Sequence, residues 1–198
     1  MATELEVKAV VPDPGALRRA LLAAGARESF RGMLRDRRLD RGSELQRREE
    51  IFRLRRWIPR QGVERAEIGW KGAKSVSAAG YKRCEEIEFA VSDAVSALRL
   101  LETLGYHVFH AIDRYVEVYQ FDDVVARLEW YPRMDVLLEI EGTPEGIERL
   151  IATAGIPRDH CVPDALTEFG VRYEARTGHR ALFSEQELGD EPPAWSAA

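Results

Sequence analysis

The chain has 198 residues, 45% of them hydrophobic and 32% charged, with a net charge of -5 at pH 7. That is enough apolar material for one well-buried core, while the acidic balance argues against a general nucleic-acid binder, which carries a basic excess across its domain. No apolar run reaches the roughly 20 residues that cross a bilayer, and the N-terminus has neither a basic leader nor an apolar signal core, so a cytoplasmic protein without membrane partners is expected.

In chain order, the first strand is Glu4–Lys8, where alternation puts Glu4, Glu6 and Lys8 on one face and Leu5 and Val7 on the other. Pro12 and Pro14 break that run, and the Ala/Leu/Arg content of Ala16 to Ala24 predicts a helix, started by Asp13 or Pro14 and closed by Gly25. Strands are expected at Glu50–Trp57, Glu64–Gly72 and Tyr81–Val91. A second helix begins at Ser92 or Asp93 and runs to Leu104, with Gly105 as its stop. Strands Val108–Phe121 and Val124–Tyr131 follow, joined by an Asp122-Asp123 turn, and then Asp135–Glu141. Helices over Pro144–Ala154 and Asp164–Arg176 stop at Gly155 and Gly178, and Gly189 to Ala198 lacks periodicity and reads as a loose tail. The pattern is that of an antiparallel, strand-dominated α+β domain with its helices outside.

The polar faces of these strands carry the functional signal. Arg53 and Arg55 share one face of their strand, as do Arg127 and Glu129, and acidic pairs recur at Glu86/Glu88 and Glu139/Glu141. An ordinary sheet with one wet face also alternates, but it mixes Lys, Thr, Ser, Gln and Glu. These faces are nearly pure carboxylate and guanidinium, the groups that coordinate hard cations and grip phosphate. Arginines crowd between Arg31 and Arg60, giving a local positive field suited to an anionic ligand in a pocket. Cys84 and Cys161 lack CxxC spacing and are expected as free thiols. His107, His110, His160 and His179 have no HExxH or triad spacing and read as structural or surface residues, and no Walker-type loop or nucleophile elbow is present.

Taken in order, these motifs resemble the CYTH domain proteins, also called triphosphate tunnel metalloenzymes, which include class IV adenylate cyclases, thiamine triphosphatases and inorganic triphosphatases. ELEVK at Glu4 to Lys8 is similar to the family's N-terminal ExExK strand. FRLRR at Phe52 to Arg56, Trp70-Lys71-Gly72, Glu85-Glu86-Ile87-Glu88, Arg114 and LLEIEG at Leu137 to Gly142 follow in the family's order. The resemblance covers residues 1 to 175, and the expected organisation is a tunnel domain over residues 1 to 180 with a tail over 181 to 198. It implies a closed antiparallel β-barrel of about eight strands whose polar interior holds a triphosphate and one or two divalent ions.

On that resemblance Lys8, Arg53, Arg55, Lys71, Arg83, Arg114 and Arg127 bind the triphosphate, and Lys8 and Lys71 also act in catalysis. Glu4, Glu6, Glu129, Glu139 and Glu141 hold Mg²⁺ or Mn²⁺, with Glu86 and Glu88 as further tunnel acids. The implied activity is metal-dependent hydrolysis of inorganic, thiamine or nucleoside triphosphate. The alternatives are a class IV adenylate cyclase and a non-catalytic binder of polyphosphate or nucleotide. A homodimer is left open by the sequence.

Departures from the family pattern bear on function. The YFDTP-like stretch before the arginine strand is replaced by Asp36 to Gly42, without its aromatic and proline. Ile112 stands where a second cation would share a face with Arg114, so one phosphate grip is expected to be missing. The arginine before the acidic strand is Arg83, or Cys84 takes its place if the register differs by one. Lys74 and Lys82 flank a solvated Ser/Ala/Gly loop, and Trp57, Trp70 and Trp130 are expected to pack on the barrel exterior.

Overall fold

The alternation of the first strand is answered by partners on both of its sides, and this closes the sheet. In the computed structural model, which describes residues 2–197, the strands are β1 (Ala2–Val10), β2 (Arg27–Asp40), β3 (Ile51–Pro59), β4 (Arg65–Lys71), β5 (Ser75–Val76), β6 (Lys82–Val91), β7 (His107–Phe121), β8 (Val124–Trp130) and β9 (Leu137–Glu141). The hydrogen-bonded order β1-β9-β8-β7-β2-β3-β4-β6 returns to β1, a closed antiparallel barrel of eight strands, while β5 pairs with the start of β6. The expected α+β tunnel fold is therefore present. Met1 and Ala198, which begin and end the two expected units, lie outside the described residues.

Helices α1 (Pro14–Ala23), α2 (Glu44–Arg47), α3 (Ala94–Thr103), α4 (Pro144–Ala154) and α5 (Leu166–Thr177) lie outside the barrel. Their ends follow local chemistry. Asp13 Oδ1 accepts the Ala16 amide at 2.8 Å, the Asp93 carboxylate accepts the amides of Val95 and Ser96, and Gly155 and Gly178 supply left-handed stops at φ 65° and 72°. No helix among the described residues is long and apolar enough to cross a membrane.

The main hydrophobic core lies between the barrel's outer wall and its helices. Leu17 and Leu21 of α1 and Ile147 and Leu150 of α4 pack on Val7, Leu128, Leu138 and Ile140, the residues between the charged positions of β1, β8 and β9. Each such side chain contributes roughly 1.5–3 kcal/mol when fully buried. Leu101 of α3 covers Leu39 and Leu54 on β2 and β3. The alternation thus stabilises the fold with one face and spends the other on the interior.

Three expectations are corrected. The segment between α1 and Glu50 contains a 14-residue strand, β2, which the sequence reading lacks. Trp57 is inside the barrel, on the face of Arg53 and Arg55, where it joins Leu34, Val116 and Val118 in an apolar cluster and meets Phe30 edge-on at 5.0 Å. Gly32 permits β2 to cross there, because a Cβ at that position would stand 2.2 Å from the Ile58 carbonyl oxygen. Finally, the C-terminal segment is docked rather than loose.

In that segment Leu182 exchanges backbone hydrogen bonds with Arg133, and the Asp113 amide donates to the Phe183 carbonyl at 2.7 Å. The Ala194 amide donates to the Pro132 carbonyl at 3.0 Å. Ala181, Leu182 and Leu188 are buried. Ending the chain after Arg180 is expected to cost about 3–6 kcal/mol, from exposing the equivalent of two leucine side chains, measured as a shift of the urea unfolding curve. An unchanged curve would restore the loose-tail reading.

Candidate functional site

Because the strands are antiparallel with period two, every second residue of the barrel turns inward. Cross-strand register then sets acids against cations. Lys8 lies opposite Glu139, Arg127 opposite Glu139, Lys71 opposite Glu86 and Asp36 opposite Arg55, whereas Arg38 faces another cation, Arg53. Between these walls is a cavity of 340 Å³, within the roughly 300–1,000 Å³ of small-molecule sites.

One wall is an arginine fan. Arg55 donates from Nε and Nη2 to the two oxygens of Asp36 at 2.7 and 3.0 Å, Arg114 Nη1 reaches the same carboxylate at 3.2 Å, and Arg53 Nη1 stands 3.9 Å from it. Asp36 is 2% exposed. Burial works to raise its pKa, but Arg55, Arg114 and Arg53 outweigh that and hold it well below the usual carboxylate range. Arg114 also donates to Glu129 at 2.9 Å, and Glu129 accepts the Tyr131 hydroxyl.

The opposite wall comes from β1, β4, β6, β8 and β9. Lys8 pairs with Glu6 and Glu139, Lys71 with Glu4 and with Glu86 at 3.2 Å, and Lys82 with Glu6 at 2.8 Å. Arg127 bridges Glu139 and Glu141. Burial disfavours charge on Lys8 and Lys71, yet the surrounding carboxylates raise both pKa values. These lysines are fixed cations, suited to absorbing negative charge rather than to moving protons.

At one group of acids the balance reverses. Burial, reinforced by Glu4 and opposed by Lys71, pushes Glu86 up to about 8. Burial, with Glu4 and Glu139 adding to it against Arg127, pushes Glu141 up to about 7. Both lie within hydrogen-bonding reach of Glu4, which Lys71 holds ionised against burial. No group of three or more His, Cys, Asp or Glu among the described residues is arranged to hold a metal ion, since the tunnel acids are turned to lysines and arginines. The donor chemistry of this trio nevertheless fits a hard divalent cation. It is all oxygen, and burial beside Glu4 disfavours charge on Glu86 and Glu141, a charge that a bound cation would favour.

The folded state holds the Glu86 proton up to about 8, whereas the unfolded chain releases it near 4.5. Between those values the folded protein binds more protons, so rising pH favours unfolding across that window. Glu86→Gln is expected to flatten the decline in stability between about pH 5 and 8. Thermal melting of wild type and variant across that range checks it, and parallel profiles would remove Glu86 as the source.

Of the residues expected from sequence, Glu4, Glu6, Lys8, Arg53, Arg55, Lys71, Glu86, Glu88, Arg114, Arg127, Glu129, Glu139 and Glu141 meet in the barrel interior through this network. Arg83 does not. It is exposed on the outer face of β6, and Cys84 is the buried, cavity-lining neighbour, so the alternative register holds. Both cysteines are free, as expected, and the fold buries both. Sequence reasoning marks the Asp36 to Gly42 segment as a departure and Lys82 as a loop flank but does not count Asp36, Arg38, Lys82 or Tyr131 as site residues, and all four line the cavity. The period-two continuation of β6 from Cys84 would have found Lys82. Lys74 also lines the cavity and reaches Glu168 of α5 at 3.2 Å.

These features define a class: a closed antiparallel β-barrel with a buried chamber lined by acids and cations. Comparison with known proteins agrees on the fold. A candidate adenylate cyclase from Vibrio parahaemolyticus superposes with a TM-score of 0.70 at 18% identity, over 84% of this chain and 96% of the other. The PH1012 protein of Pyrococcus horikoshii gives 0.65 at 22% identity, over 84% and 98%. HpAC1 from Hippeastrum, a candidate adenylyl cyclase described as having a dominant triphosphatase activity, gives 0.58 at 15% identity, over 90% and 96%. No family model and no curated protein sequence matches the chain. The CYTH resemblance carried by the ordered motifs is thus borne out in the fold.

Proposed function

We propose that the chamber binds a triphosphate and that the protein hydrolyses it with Mg²⁺ or Mn²⁺. The observation that carries this reading is the convergence of Arg53, Arg55 and Arg114 on a single buried carboxylate, Asp36, beside the cavity. Glu129, Glu67, Glu86 and Glu88 engage these guanidiniums as well, yet Arg53 Nε has no hydrogen-bond partner, and guanidiniums with five donors each retain N–H groups whose forked geometry matches phosphate oxygens. The triphosphatase activity described for HpAC1, whose fold this chain shares, supports hydrolysis.

In this reading Arg53, Arg55, Arg114 and Arg127 orient the phosphate chain, and Lys8 and Lys71 stabilise charge that develops on it. Glu4, Glu6, Glu129, Glu139 and Glu141 would hold the divalent ion, with Glu86 beside Glu4. When bound, that ion supplies Lewis-acid polarisation of phosphoryl oxygens. Burial of the chamber strengthens each of these electrostatic contributions relative to water.

A second reading is cyclisation of a nucleoside triphosphate. Its support is an apolar stretch of the cavity wall, Ile51, Ile112, Tyr131 and Leu166, which offers surface to an organic group. The decisive experiment assays tripolyphosphate, ATP and thiamine triphosphate with each metal and identifies products. Orthophosphate release supports the hydrolase, cyclic nucleotide with pyrophosphate supports the cyclase, and binding without turnover assigns a non-catalytic module. A protein that neither binds nor turns over any of them overturns the triphosphate reading.

A further inference from the structure

Among the described residues that line the chamber, Arg38 is the cation without a carboxylate partner. It lies on β2 between Arg53 of β3 and His110 of β7 and lines the cavity. The carboxylate two residues away on its own strand, Asp36, is already engaged by Arg55 at 2.7 Å, Arg114 at 3.2 Å and Arg53 at 3.9 Å. Among the described residues Arg38 makes no ion pair, and its Nε is shielded from solvent with no hydrogen-bond partner. Burial, with Arg53 and Arg114 adding to it and Asp36 opposing, pushes its pKa down to about 10, so it remains a cation at neutral pH under strain. A guanidinium held this way contributes nothing to the empty fold that a neutral side chain would not.

The strand pairing also places Arg38 beside the departure at Ile112. Ile112 lies opposite Asp36, and the next inward position of β7, His110, lies opposite Arg38. Ile112 is fully buried against Leu137 and Leu166 and offers no charge. We infer that Arg38 is a substrate-binding residue that grips a phosphate of the anionic ligand, moving to β2 the cation that Ile112 leaves out of β7. The inference rests on the triphosphate reading above. The phosphate grip that the sequence reading counts as missing is then relocated.

The test uses the full chain, tripolyphosphate and ATP as probes, and isothermal calorimetry with thermal melting. Arg38→Gln is expected to weaken binding of both probes at least tenfold while the ligand-free protein melts at the same or a higher temperature. Arg38→Lys is expected to lose less affinity than Arg38→Gln. Wild-type affinity retained in Arg38→Gln overturns this inference and leaves the triphosphate reading standing. A wild-type protein that binds neither probe overturns both. A marked drop in the ligand-free melting temperature of Arg38→Gln would show that Arg38 serves the fold, also overturning the inference.

Discussion

Asp36→Asn is expected to lower the unfolding free energy by about 3–5 kcal/mol in the absence of ligand, the cost of removing one partner from a buried ion-pair network. Asp36 is 2% exposed and is the shared acceptor of Arg55 and Arg114, with Arg53 close by. The amide keeps the shape and one acceptor oxygen but removes the charge, leaving guanidiniums 3% and 7% exposed at Arg55 and Arg114 with less compensation. Glu129 and Glu67 remain within reach of Arg114 and Arg55, at 2.9 and 3.6 Å, so the barrel is expected to persist as a weakened fold. If the fan is the seat of a polyanion, ligand supplies the missing charge. Saturating tripolyphosphate should therefore raise the melting temperature of Asp36→Asn by more than it raises that of wild type. Urea unfolding and melting with and without tripolyphosphate measure both effects. Wild-type stability in the variant would show that the Asp36 pairs carry no net weight, and equal ligand shifts would place the polyanion elsewhere.

Asp36 also shows what the sequence made legible and what it hid. Where one strand face is apolar and the other charged, as in Glu4–Lys8, Phe52–Arg56 and Leu137–Glu141, alternation identified both the strand and its inward residues, and the structure places them as read. β2 defeats that signal because both of its faces are charged. Asp36 and Arg38 turn to the chamber, while Arg35 and Arg37 reach Asp113 and Glu185 on the outside. Its strand character comes from β3 and β7, far away in sequence, and no local period records them. Trp57 misled for a related reason. A large aromatic suggests an outer core, yet parity with Arg53 and Arg55 puts it inside, where Leu34 and Val116 make that part of the barrel apolar. At Arg83 and Cys84 a one-residue slip inverts the assignment, because neighbouring strand residues face opposite sides. The C-terminal segment was opaque because its order comes from backbone hydrogen bonds to Asp113, Pro132 and Arg133, which composition does not encode.

The double substitution Glu4→Gln with Glu6→Gln is expected to reduce metal-dependent turnover on the order of 10²-fold or more, the scale of losing an electrostatic group that acts in the transition state. Its effect on ligand binding should run the other way. Glu4 engages Lys71, and Glu6 engages Lys8 and Lys82, so neutralising both acids frees ammonium groups in the chamber. Lys8 keeps Glu139 and Lys71 keeps Glu86, and Leu5 and Val7 still pack outward on the core, so the barrel has reason to remain folded. Metal-free affinity for tripolyphosphate should then hold or tighten while turnover is lost, and this split separates a metal-holding role from a merely structural one. A collapsed fold would lose both together. Lost turnover with weakened metal-free binding would make Glu4 and Glu6 organisers of the lysines. Full turnover in a folded double variant would remove the metal from this face of β1 and leave its carboxylates as counter-ions that keep Lys8, Lys71 and Lys82 charged in a buried chamber.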